Sequence, residues 1–177
     1  MALVHLMICK YDFDDPAYVD DWTTLRGLMR RDGHPHPPAS YLQLERSFVE
    51  VAERFYRRYR DRGLRWRYCY VCGEADQLDA ASAWLQDLTQ PLAESLAQVG
   101  APLDGLSDAA RRGLFQLAVR GGIAFVIASR DPAPVVLSTM DDGFYWFVSL
   151  PDEDDPEELL GEAELFIYDS IDIFDPA

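Results

Sequence analysis

The sequence predicts an α+β fold: one domain over residues 1–177, with a mixed or antiparallel sheet of about six strands and about five helices packed on it. Three observations lead there. The composition, 49% hydrophobic and 27% charged, is that of a globular chain long enough to bury a core. A strong 3.6-residue stripe runs through 39–62, and the last third instead carries short apolar or alternating runs. No internal repeat or low-complexity linker divides the chain.

Taken in order, "ALVHLMICKY" (2–11) is a short apolar run rich in Leu, Val and Ile, and reads as a buried strand and not a signal peptide. Asp15 and Pro16 have the chemistry of an N-cap and first helical position, with apolar steps at Tyr18, Trp22 and Leu25 and a stop at Gly33. "HPHPP" (34–38) is a stiff turn. The next helix places Tyr41, Leu44, Phe48, Val51 or Ala52, Phe55 and Tyr59 on one stripe, and Gly63 ends it. Arg54, Arg57, Arg58, Arg60 and Arg62 crowd its last turns, where cations suit the negative end of the helix dipole.

"RWRYCYVCGE" (65–74) holds Cys69-x-x-Cys72 in a chain of three cysteines. From Leu64 the residues alternate in strand fashion, so Cys69 and Cys72 are expected on opposite faces. A zinc knuckle needs the pair on a tight turn and a second ligand pair, and His34-x-His36 is the nearest thing to one. The reading is two small buried thiols, with no metal and no cofactor. An odd count of cysteines gives no disulfide framework, and a cytoplasmic setting is expected.

Residues 75–100 read as a helix broken near Pro91, and Ser107 caps another that runs to about Arg120. "IAFVIAS" (123–129) is uniformly apolar and predicts a strand buried on both faces. Strands at 135–140 and 144–150 flank Asp142-Gly143, a hairpin turn signal. A short helix begins near Pro156, and "EAELFIYDS" supplies a last strand.

The net charge of −15 is unevenly placed. Residues 131–177 hold fourteen acids and no Lys or Arg, whereas residues 22–67 hold eleven Arg against five acids. Such segregation predicts a field that repels nucleic acid and membrane surfaces and draws in cationic partners.

The end of the first strand, "MICKYDFDDP", delivers Asp12-x-Asp14 to a loop. In this it resembles the haloacid-dehalogenase phosphatases; Ser129 after "AFVIA" is similar to their second motif and Asp141-Asp142 to their late acidic pair. The resemblance implies metal-dependent phosphoryl transfer or hydrolysis, with Asp12 and Asp14 as nucleophile and acid. It departs from the family in having no cation between the second motif and the late acids, since Lys10 precedes the first motif and nothing basic follows Arg130. There is no Gly-x-Ser-x-Gly, phosphate-binding Gly loop or His-Glu-x-x-His, and the carboxylates of 152–158 lack the spacing of a calcium loop.

With no catalytic kit, the chain resembles bacterial immunity proteins in charge and size, with no motif behind the likeness. The expected function is an acidic protein that neutralises a basic toxin enzyme by occluding its site, with a homodimer also possible. The expected contact residues are Asp141, Asp142, Tyr145, Trp146, Asp152, Glu153, Asp154, Asp155, Glu157 and Glu158, with any unburied hairpin aromatics as anchors. The Arg-rich stretch 54–67 is the second candidate surface.

Overall fold

Apolar alternation in the short segments builds a sheet, and the long stripe supplies the helix that covers it. The computed structural model describes residues 2–16, 37–71, 102–120, 123–139 and 144–169, with 67–71 followed by their backbone. The elements are β1 (Leu3–Cys9), α1 (Ala39–Tyr59) running into a 3-10 turn (Arg60–Arg62), β2 (Arg65–Val71), α2 (Asp108–Val119), β3 (Ile123–Ala128), β4 (Val136–Thr139), β5 (Tyr145–Pro151), α3 (Glu157–Leu160) and β6 (Phe166–Asp169). The six strands form one sheet in the order β2-β3-β4-β5-β1-β6. Every neighbouring pair is antiparallel, which settles the choice the sequence leaves open. Three α-helices lie among the described residues, fewer than the five expected. The helices expected from Asp15 to Gly33 and over 75–100 fall almost wholly outside the described residues.

One face of the sheet makes the main core. Ile8, Trp66, Phe125, Ile127, Leu137, Trp146, Val148 and Leu150 are buried there with the α1 stripe of Tyr41, Phe48, Val51, Ala52, Phe55 and Tyr59. Strand parity explains the set, because alternate residues of a strand share a face and cross-strand neighbours such as Ile8 and Trp146 stand together. On the opposite face, Met7, Cys9 and Tyr11 pack with Tyr145, Phe147 and Tyr168. In β3, Ile123, Ala124, Phe125 and Ile127 are buried and Val126 and Ala128 half-buried, so only one face is sealed along its whole length.

α1 ends where glycine lets it. Gly63 has φ of 66°, a left-handed conformation that other residues adopt at a cost, and its N–H donates to the Arg60 carbonyl. α2 begins at Ser107, whose hydroxyl accepts the Ala110 N–H at 3.2 Å, as its sequence predicts. Two buried ion pairs then set how the helices lie. Arg120 meets Glu45 at 2.6 Å and Arg111 meets Glu53 at 3.0 Å. The early glutamate takes the late arginine and the reverse, so the helices pair antiparallel in one register.

β2 is a strand, as expected, but its register against β3 shifts between Tyr68 and Tyr70. Cys69 is the extra residue of this irregularity, so the period-two count from Leu64 to Cys72 is interrupted. Cys72 lies outside the described residues. The opposite-faces argument for the two thiols therefore does not carry through this strand.

Candidate acidic face

The segment after β5 is shaped by its own turn chemistry. The Asp152 N–H donates to the Ala2 carbonyl at 3.2 Å, which ties the loop to the start of β1. The Asp154 N–H closes a turn onto Pro151 at 3.0 Å. Asp155 accepts the Glu157 N–H at 3.0 Å through its side chain, feeding the chain into α3. Leu159 and Leu160 are then buried in the main core. Burial of a leucine contributes about 2 kcal/mol, so these two anchor the segment.

Basic side chains from α1 reach this segment. Arg58 donates to Asp154 Oδ1 at 2.8 Å and to the Glu158 carboxylate. The Tyr59 hydroxyl donates to Asp154 Oδ2 at 2.5 Å. A little farther along, Arg62 lies 3.6 Å from Asp131. Among the described residues, the two charge poles of the sequence thus meet in space. Part of the basic stretch folds onto part of the acidic third and neutralises it.

This sorts the predicted contact residues. Asp152, Glu153, Asp155 and Glu157 are exposed, and among the described residues none forms an ion pair. Asp154 and Glu158 are held by Arg58, with side chains 19% and 60% exposed, so Asp154 serves the loop more than any partner. Trp146 is fully buried, against Phe48 at 5.1 Å and Phe125 at 6.1 Å between ring centroids, and has no surface to offer. Phe144 is likewise buried. Tyr145 is half-buried on the other face of the sheet, beside Tyr11. Asp141 and Asp142 lie outside the described residues. Sequence reasoning missed the clasp of Arg58 and Tyr59 on Asp154. The usable signal is the spacing of Arg54 and Arg58, which places both on one face of α1.

The clasp sets a pH dependence. Burial alone raises the Asp154 pKa, but hydrogen bonds from Arg58 and Tyr59 outweigh it and hold the carboxyl below its ordinary 3.8. Burial and the bond to Asp154 push the Tyr59 hydroxyl well above its usual range. A carboxyl depressed in the folded state stabilises it above the unfolded pKa, and this contribution is lost as pH falls through the folded value. Asp154→Asn is therefore expected to lower the urea midpoint at pH 6, with the gap to the wild type closing as pH falls below the ordinary carboxylate range. A gap that stays constant through that fall contradicts the clasp.

The loop after β1 is arranged differently. Asp12 Oδ1 accepts the Asp14 N–H at 3.1 Å and lies 3.3 Å from the Tyr168 hydroxyl, while the Asp12 carbonyl accepts the Asp15 N–H. That is an Asx turn, which uses the carboxylate structurally. Ser129 donates to Asp131 at 3.0 Å and accepts the Val135 N–H at 3.1 Å. The successive antiparallel pairings through β4 and β5 make β1 and β3 run in opposite directions. Asp12 and Ser129 consequently leave the sheet at opposite ends and do not share a site. Among the described residues no group of three or more His, Cys, Asp or Glu is placed to hold a metal ion. None of the described helices is long and apolar enough to cross a membrane.

Comparison with protein-family models, with curated proteins and with solved structures gave no match.

Proposed function

We propose that this chain is an acidic binding protein whose 152–158 segment docks a cationic protein surface, in the manner of an immunity protein that occludes a basic toxin enzyme. One observation carries the reading. Asp152, Glu153, Asp155 and Glu157 stand exposed, without a counter-cation among the described residues, on a loop tied to the start of β1 through its backbone, to α1 through the Asp154 side chain and to the core through Leu159 and Leu160. Carboxylates on an anchored backbone steer a cationic partner, and the anchored chain loses little entropy when it meets one. The net charge of −15 supports a protein partner over nucleic acid or an anionic membrane. A cytoplasmic setting belongs to the same reading and is supported by the odd count of cysteines, which gives no disulfide framework. Metal-assisted chemistry at Asp12 and Asp14 has less support, because the Asp12 carboxylate is engaged by Asp14 and Tyr168.

The test uses a fluorescent hexa-arginine peptide as a stand-in for a basic surface. The triple variant Asp152→Asn, Glu153→Gln, Asp155→Asn keeps the bond from the Glu157 N–H to residue 155, since an Asn side-chain oxygen also accepts a backbone N–H. Its association rate at low salt is expected to fall about threefold or more, with a smaller effect once salt screens the field over a Debye length of about 8 Å. An unchanged rate at low salt contradicts the proposal.

A further inference from the structure

α3 is a single turn of four residues. A helix that short does not hold itself in water, because the cost of nucleation is never recovered. Its last carbonyls also lack partners within the helix. The Leu160 carbonyl accepts the Ala163 N–H, and a further donor comes from another element. Arg54 of α1 donates from Nη1 to the Leu159 carbonyl at 3.1 Å and to that of Leu160. Gly161 makes the room for it. Its φ is 55°, and a Cβ there would stand 2.8 Å from Arg54 Cζ and 3.0 Å from Nη2. The Arg54 side chain is 27% exposed, and its ion pair with Glu50 spans 3.4 Å. Its role differs from that of Arg58, one turn later, which holds carboxylates on the outer side of the same segment.

We propose that Arg54 is the positioning residue of the acidic segment: a C-terminal cap supplied by a neighbouring helix, seated beneath Gly161, that fixes α3 and the carboxylates leading into it. The claim about order stands on the geometry, and only the use of that order rests on the proposed binding function. A guanidinium suits this seat because Nη1 serves the two carbonyls while Nη2 reaches Glu50, a division between two nitrogens that the single nitrogen of an ammonium cannot make.

Amide hydrogen exchange on the full chain reads the device directly. The N–H groups of Leu159, Gly161 and Ala163 bond to the carbonyls of Pro156, Glu157 and Leu160 at 3.0, 2.9 and 3.0 Å. In Arg54→Met these three amides are expected to exchange about tenfold faster, while Val148 in the central strand β5 keeps its protection. Arg54→Lys is expected to recover part of the loss. Protection at the three amides within about twofold of wild type in Arg54→Met overturns the proposal. So does an equal acceleration of all amides including Val148, which would make Arg54 a general stabiliser. Hexa-arginine binding is measured on the same samples. Loss of the segment's order with binding unchanged upholds Arg54 and sinks the binding surface, whereas absent binding with the amides behaving as expected leaves the Arg54 claim intact.

Discussion

Arg111→Met is expected to destabilise the protein by about 3–5 kcal/mol, read from urea unfolding at neutral pH. The cost arises from what is left behind. Glu53 is 4% exposed and its carboxylate is met by Arg111 at 3.0 Å through both Nε and Nη2. Methionine replaces the stem of the arginine but leaves an anion in the interface between α1 and α2, with no cation facing it from α2. Glu53→Gln is expected to cost less, because Arg111 keeps Asp108 at 3.0 Å and the face of the Tyr56 ring at 4.0 Å. The double variant Glu53→Leu, Arg111→Met is expected to regain most of the loss, since no buried charge then lacks a partner. A cost below about 1 kcal/mol for Arg111→Met shows that the pair is solvated and does not set the helix register.

The second large effect concerns a residue whose chemistry suggests a contact anchor. Trp146→Ala is expected to lose about 3–5 kcal/mol, because the ring is wholly buried and its removal leaves a cavity between Phe48 and Phe125. Tyr145→Ala, in the next position but on the other face and half-buried, is expected to cost less. Trp146→Ala with near-native stability and weakened peptide binding would return Trp146 to the surface. Thermal unfolding of the two variants side by side separates these outcomes.

The two residues also show how far sequence alone reaches. Periodicity places the α1 stripe, the Ser107 cap, the hairpin strands and the Gly63 stop correctly, because each depends on near neighbours in the chain. It also puts Trp146 and Tyr145 on opposite faces of a strand. It does not say which face is the core, since both carry aromatic residues and the choice depends on which one α1 covers. The irregularity at Cys69 escapes for a similar reason: an extra residue is defined by its partner strand and leaves no mark on the local pattern. Charge is the least legible property. The acidic third and the basic stretch look like two poles until the fold lays Arg54, Arg58 and Arg62 against the loop and Asp131. Of the ten residues expected at the contact, four keep exposed carboxylates with no ion pair among the described residues. Asp154 and Glu158 are diverted to Arg58, which makes Asp154 a poor choice for a neutralising test of binding.

The central claim is that the face at 152–157 attracts a basic surface by position and not through the overall charge of −15. The most direct test compares the Asp152, Glu153, Asp155 triple variant with a charge-matched triple, Asp14→Asn, Asp61→Asn, Asp104→Asn, whose sites are exposed elsewhere on the described surface. Both variants carry a net charge three units less negative than the wild type's −15. Association of the hexa-arginine peptide is followed by stopped-flow fluorescence at low ionic strength. The account predicts a rate about threefold or more slower for the face variant and a change under about twofold for the control. Equal slowing in the two variants would contradict it, reducing the segment to one part of a diffuse acidic coat.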